Sequence, residues 1–512
     1  MSEEAAPKAV WRLDVASEAG TIELAQELAT LVRVGDAVML SGDLGAGKTT
    51  FARAMIRALV EDPRLEAPSP TFTLMQIYER AGNRIVHADF YRLENTAELE
   101  GLGWEEATDD AIVLVEWAER AREALSPDRL EVRLSFVDGD NREARRLTIS
   151  GYGGFVSRLA SFKSMRELLR TSGWAGAERR FLQGDASTRA YERLEKSNGQ
   201  RAILMISPAR PDGPPIRYGK SYSAIARLAE NVVPFVALSQ ALRGLGLSAP
   251  EIYARDFDAG LLIIEDLGGE GVVDASGPIA ERYLEAAAAL AYLHAQRLPE
   301  TIAVEGGGDY CIPPYDLDAL LIEVELLVDW YLPRQKAPIS SGARAIFLNL
   351  WRQTLSDVAS AAPTWTLRDY HSPNLLWLAP RNGLARIGIL DFQDCVLGHP
   401  AYDVASLGQD ARVDVPDDLE LKLLAHYAKL RREADSAFDM AAFAKAYAIL
   451  AAQRATKILG IFARLDQRDG KPHYLTHLPR VESYLKKSLR HPALADIRAW
   501  YEANIPGLFR DA

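Results

Sequence analysis

Two groups of residues in this chain have the types and spacing that phosphate chemistry uses. The first is contiguous: Gly42, Asp43, Leu44, Gly45, Ala46, Gly47, Lys48 and Thr49 follow an apolar run at 37–40 and open an amphipathic stretch near Thr50. A glycine-rich loop between strand and helix closes its backbone, from Asp43 through Ala46, around phosphate oxygens, and the amides of the helix start, up to Thr50, point at them. Lys48 then reaches the terminal phosphates and Thr49 can ligate magnesium, which describes an ATP site. A strand-to-helix turn without a ligand would account for the glycines, but not for lysine and threonine at these offsets.

The second group is dispersed. Asp369 precedes Asn374 by five residues on a loop that Pro373 keeps out of helix, and the apolar run 387–390 ends in Asp391. A loop, a strand, a turn and a second strand would set an amide and a carboxylate, suited to holding magnesium, beside another carboxylate that accepts a hydroxyl proton. Asp369 is the candidate base, with Asn374 and Asp391 as metal ligands. His371 reads as a loop histidine bonded within its turn, because Asp369 already fills the proton-accepting role.

Three shorter pieces follow the glycine loop at distances one small domain can bring together. Pro68 and Pro70 stiffen an extended loop that offers Thr71 to a nucleotide. Asp89, in HADFYR, and Glu116, in AIVLVEW, each end an apolar run and are candidates to hold magnesium or orient an attacking water. Taken singly, an acid at a strand end is more often a helix cap or a solvated loop residue.

These residues need elements to position them. Alternation at 10–15 predicts a strand, Ser17 caps a periodic helix, and 130–136 and 146–149 close the first domain as strands around the turn at 138–141. The glycines at 151–154 break the pattern, so a linker is expected at 151–162, with an amphipathic segment near Met165 opening the next unit. There, 190–194 and 202–205 read as strands, 261–264 as a buried strand, and 284–293 and 317–327 as amphipathic helices.

Length and composition fit two or three globular domains: 512 residues, 48% hydrophobic and 25% charged. The net charge of −12 argues against a broad nucleic-acid-binding face. Cys311 and Cys395 read as core thiols, too few for a disulfide framework. The acidic start lacks a signal-peptide core, and no apolar run approaches the roughly 18 residues of a membrane span, so a cytoplasmic enzyme is expected.

The glycine loop, SPTFTL, HADFYR and the Glu116–Trp117 pair resemble the TsaE (YjeE) family over roughly residues 8–150. That resemblance implies an ATPase subunit that works with the threonylcarbamoyltransferase proteins of tRNA threonylcarbamoyladenosine synthesis and resets their complex. RDYHSPNLLWL and GILDFQDCVLGHPAYDVASL resemble the catalytic and metal-binding segments of kinases with the aminoglycoside-phosphotransferase fold. Leu367 stands where that family usually has His, and Gln393 where protein kinases have Gly. Over most of 163–512 the chain is similar to the bacterial kinases that phosphorylate the anomeric hydroxyl of N-acetylmuramate and N-acetylglucosamine in cell-wall recycling.

The resemblance implies a phosphate-covering hairpin at Gly184 and Ser187, although an ordinary Gly-Asp turn reads alike. It also implies a hinge at Glu265 where backbone groups bind adenine, and Asp403 as a brace for the catalytic loop. Met205 falls where such kinases carry an ATP-binding Lys. Arg454 and Lys457, one turn apart, face either an anionic substrate group or solvent.

The expectation is therefore an α/β P-loop NTPase domain at 1–150, followed at 163–512 by a two-lobed α+β kinase-like domain whose N-lobe ends near 268. ATP and Mg²⁺ are the expected cofactors, and an N-acetyl amino sugar the acceptor. Two alternatives stay open: a kinase of another small alcohol such as an aminoglycoside or choline, and a non-catalytic ATP-binding scaffold. The missing Lys favours the scaffold; intact Asp369, Asn374 and Asp391 oppose it.

Overall fold

The computed structural model describes residues 9–509, apart from 81–82, 95–96, 121–125, 138, 140, 183–188 and 210–212. The chain divides into two compact units, Met1–Leu169 and Arg170–Ala512. Part of the turn expected at 138–141 falls outside the described residues, as do Gly184 and Ser187.

In the first unit, the elements run β1 (Ala9–Val15), α1 (Glu18–Ala29), β2 (Ala37–Ser41), α2 (Lys48–Val60), β3 (Met75–Arg80), β4 (Asn83–Asp89), α3 (Ala97–Gly101), α4 (Trp104–Thr108), β5 (Ala111–Glu116), β6 (Arg129–Phe136), β7 (Arg145–Gly151) and α5 (Phe155–Thr171). The strands form one sheet in the order β1-β7-β6-β2-β5-β4-β3. Its centre, β6-β2-β5-β4, is parallel, and the outer pairings are antiparallel. β5 is buried at all six positions, as a parallel strand covered on both faces must be. Ser17 caps α1 by accepting from Gly20 N at 3.3 Å.

The expected linker at 151–162 is instead the end of β7 and the first half of α5. Phe155, Leu159, Phe162 and Met165 are buried, Phe162 meets Trp11 edge-on at 6.0 Å, and Arg158 pairs with Asp36. Apolar spacing that marked a new unit thus belongs to the first one, and the division falls near the end of this helix.

The second unit begins with β8 (Glu178–Leu182), β9 (Ala190–Glu195), β10 (Arg201–Ile206), the single turn α6 (Tyr222–Ile225), α7 (Val233–Gly244), β11 (Ile252–Asp256) and β12 (Leu261–Glu265). These strands form an antiparallel sheet ordered β11-β12-β10-β9-β8. The remainder is mostly helical around the 30-residue helix Met440–Asp469. Gly460 on that helix has no room for a side chain, since a Cβ there would lie 2.3 Å from the carbonyl carbon of Leu326. Two short hairpins, Thr364–Thr366 with Val396–Gly398 and Leu375–Trp377 with Ile387–Ile389, carry the Asp369-to-Asp391 segment. Cys395 is buried as expected, but Cys311 ends an exposed strand beside the Thr301 hydroxyl. No helix among the described residues is long and apolar enough to cross a membrane.

Candidate active sites

The sheet of the first unit places its chemistry at the carboxyl ends of adjacent parallel strands. Register pairs Leu40 with Glu116 and Glu116 with Asp89, so the loop after β2, Glu116 and Asp89 stand side by side. Gly42, Gly45 and Gly47 take φ of +129°, +76° and +105°, which L side chains resist. At Gly42 a Cβ would also fall 2.0 Å from the Leu134 carbonyl oxygen. Lys48 is buried; its Nζ donates to the carbonyls of Gly42 at 2.7 Å and Asp43 at 2.9 Å and lies 3.6 Å from the Trp117 ring centroid. Burial lowers the Lys48 pKa, against the opposing pull of Glu116, Glu119, Asp89 and Asp43.

The Thr49 hydroxyl donates to Glu116 Oε2 at 2.8 Å, and Glu116 Oε1 meets His87 Nε2 at 3.1 Å. Asp89 Oδ2 accepts from the Ser69 and Thr71 hydroxyls, the latter at 3.0 Å. Thr49, Glu116, Asp89 and Thr71 are therefore gathered at one place. Thr50 differs: its hydroxyl bonds Glu18 on α1 at 3.3 Å, so only its backbone remains for a phosphate. Sequence reasoning assigned no role to His87, or to Arg145, which donates to the Ala46 carbonyl at 3.0 Å and ties the loop to β7. His87 sits two residues before Asp89 on one strand, hence on the same face, which was a usable signal.

In the second unit the catalytic loop is held by buried carboxylates. Asp403, fully buried, accepts from Leu367 N at 2.7 Å and Arg368 N at 2.8 Å, as expected of the brace. Asp410 accepts from Ser372 N at 2.7 Å. Arg368 takes φ +68°; its guanidinium pairs with buried Glu323 and donates to the Ala226 carbonyl at 2.9 Å. These contacts fix an unfavourable backbone conformation directly before Asp369.

Burial opposes ionisation of Asp369, yet Lys457, His371, Arg368 and Arg454 outweigh it and hold its pKa below the ordinary value. Asp369 is therefore held as a carboxylate. Lys457 itself is buried, 2.7 Å from Glu323 Oε1, and Arg454 donates to the Gln409 carbonyl at 3.4 Å. The two cations expected to face substrate or solvent thus lie inside the fold. Burial lowers the pKa of His371, whose Nδ1 has no hydrogen-bond partner among the described residues.

Asn374 Nδ2 donates to the Asp369 carbonyl at 2.9 Å, which orients the amide oxygen, and the Asn374 carbonyl accepts from Leu390 N at 2.9 Å. That bond sets Asn374 beside Asp391, which takes φ +54°. Burial raises the Asp391 pKa, against the lowering pull of Arg189. Two hard oxygen donors beside a polyphosphate suit Mg²⁺, which takes few protein ligands, so the residues fit that ion.

Asn374 and Asp391 line a cleft of about 350 Å³ together with Glu265, Asp266, Leu267 and Gly268. The Glu265 carboxylate is occupied by Arg381 and, at 3.3 Å, Arg243, so its side chain is not offered to a nucleotide. Met205 is 1% exposed and packed in the apolar core.

A glycine loop with its threonine on a strand-end glutamate defines a P-loop ATPase, and a braced Asp–Asn–Asp set under a five-stranded lobe defines a kinase-fold phosphotransferase. Residues 15–146 match the family described as threonylcarbamoyl adenosine biosynthesis protein TsaE, and residues 178–437 match the phosphotransferase enzyme family. The N-acetylmuramate/N-acetylglucosamine kinase of Caulobacter vibrioides is 38% identical over 349 residues, 66% of this chain and 95% of that protein. The tRNA threonylcarbamoyladenosine biosynthesis protein TsaE of Rickettsia felis is 37% identical over 143 residues, 28% of this chain and 83% of the relative. Its Streptomyces coelicolor counterpart is 41% identical over 135 residues, 26% and 90% respectively. The chain belongs to the TsaE family through its first unit and to the phosphotransferase enzyme family through its second.

Proposed function

We propose that this is a bifunctional cytoplasmic protein. Its first unit hydrolyses ATP within the assembly that makes threonylcarbamoyladenosine in tRNA. Its second unit transfers the γ-phosphoryl group of ATP to the anomeric hydroxyl of N-acetylmuramate and N-acetylglucosamine in peptidoglycan recycling. The observation that carries the kinase reading is the braced loop that sets Asp369, held ionised, beside Asn374 and Asp391.

In the kinase, Asp369 takes the proton as the sugar oxygen bonds to the γ-phosphorus and the bond to ADP breaks. Asn374 and Asp391 would hold magnesium, which when bound neutralises charge on the phosphates. In the first unit Lys48 reaches the terminal phosphates, Thr49 and Glu116 would hold the metal, and Asp89 or Glu116 orients the attacking water. Leu44 and Phe72, highly exposed in the glycine loop and beside Thr71, support a reading in which partner proteins cover this site.

The full chain, incubated with labelled ATP, Mg²⁺ and a panel of N-acetylmuramate, N-acetylglucosamine, kanamycin and choline, should yield 1-phosphates of the two amino sugars. Label on kanamycin or choline instead would overturn the acceptor. In a bacterium depleted of its own TsaE, the wild-type chain should restore threonylcarbamoyladenosine to tRNA and Lys48→Ala should not.

A further inference from the structure

The strand expected to carry a phosphate-binding lysine carries none. On β10 the single cation is Arg201, at the first position of the strand, exposed and paired with Glu195 at 3.2 Å. Met205 is in the core. The adjacent strand differs. Residues 189, 191 and 193 share a face by the two-residue period, and Tyr191 and Arg193 both line the cleft. Arg193 is committed to the hinge through Asp266 at 2.9 Å. Arg189, immediately before β9, reaches instead to Asp391, another residue of the cleft lining.

There its Nη1 donates to Asp391 Oδ1 at 2.7 Å, with the side chain 15% exposed. Gln393 Nε2 donates to the same oxygen at 2.8 Å, so these two side chains converge on Oδ1. Across the ladder Tyr191 pairs with Met205, which places Arg189 two residues from the position the lysine would occupy. Arg189 also shares a hydrogen bond with Tyr191, itself part of the cleft lining, and a guanidinium carries five donors in a planar fork, so it can hold a carboxylate and a hydroxyl and still turn an edge toward phosphate oxygens.

We propose that Arg189 is the phosphate-binding cation of the kinase cleft, supplied from β9 in place of the lysine absent from β10, and that it bridges Asp391 and the nucleotide's phosphates. The inference rests on the kinase reading for the identity of the nucleotide, and not on which sugar accepts the phosphoryl group.

The test uses the full chain carrying Lys48→Ala, so that only the kinase cleft binds nucleotide, and compares MgATP with adenosine by calorimetric titration. Arg189→Ala should weaken MgATP binding about tenfold or more, the loss expected of charge-assisted hydrogen bonds, and leave adenosine affinity within about twofold. Arg189→Gln, which keeps a polar hydrogen-bonding side chain without the charge, should do the same and covers the case in which alanine disturbs folding. MgATP binding that is unchanged or tighter would make Arg189 a latch competing with the metal and overturn the proposal. Equal weakening of MgATP and adenosine would make it a structural residue and also overturn it. Failure of the Lys48→Ala chain to phosphorylate any acceptor, with the Arg189 effect on MgATP intact, would sink the acceptor assignment alone.

Discussion

The first unit takes its phosphate cradle from consecutive residues, Gly42 to Thr49, whose shape follows from their own backbone angles. The second collects its groups from afar: Arg189 and Asp391 are 202 residues apart. Its order comes from buried acids, Asp403, Asp410 and Glu323, that hold a strained loop from behind. A contiguous cradle is broken by adding one carbon to its backbone. A dispersed site is loosened by removing a brace that touches no substrate.

The largest effect should fall on the candidate base. Asp369→Asn should lower sugar phosphorylation about a hundredfold or more while MgATP affinity holds, checked by steady-state kinetics and titration. Turnover near wild type would remove the base and leave positioning by Asn374 and Asp391.

Gly42→Ala should next remove nucleotide binding from the first unit, because φ of +129° and the Leu134 carbonyl both oppose a Cβ. Strain of about 1–3 kcal/mol should lower the first unit's unfolding midpoint and leave kinase kinetics unchanged. Normal ATPase activity would show that the cradle tolerates what its geometry forbids.

Asp403→Asn should have a smaller effect on catalysis. It replaces a carboxylate that accepts two amide protons with a group that accepts through one oxygen only. About 1.5–3 kcal/mol of hydrogen bonding to a charged group is at stake, so turnover should drop roughly tenfold with little change in the KM for ATP.

The smallest effect concerns pH. His399 Nδ1 accepts from Ala401 N at 3.1 Å, and burial, helped by His294, pushes its pKa down to about 4. Unfolded, the ring titrates near 6.5, so between about pH 6.5 and 4 the unfolded chain binds the extra proton and stability falls as pH falls. His399→Gln should reduce the slope of unfolding free energy against pH by up to about one proton in that window. An unchanged slope would exclude this ring as a contributor.

The same contrast decides what was legible in the sequence. The glycine loop was legible because its residues are consecutive, and Asp369, Asn374 and Asp391 because they fall within one short stretch of sequence. Arg189 was not, since nothing local to it names Asp391 as partner. Glu323 was equally silent: an acid in an apolar helix reads as solvated until Arg368 and Lys457 are seen around it. The glycines at 151–154 were misread because a breaker marks a linker or a tight turn alike. Here a Cβ at Gly151 would meet the Phe155 carbonyl at 2.8 Å, so the turn is packed and the helix after it belongs to the first unit.

The central claim is that one chain carries two ATP sites with separate chemistry. Lys48→Ala and Asp369→Asn, each in the full chain and each assayed for ATP hydrolysis without sugar and for amino-sugar phosphorylation, test it most directly. Lys48→Ala should lose the hydrolysis and keep phosphorylation, and Asp369→Asn the reverse. Loss of both activities from either single change, in protein that remains folded, would contradict it.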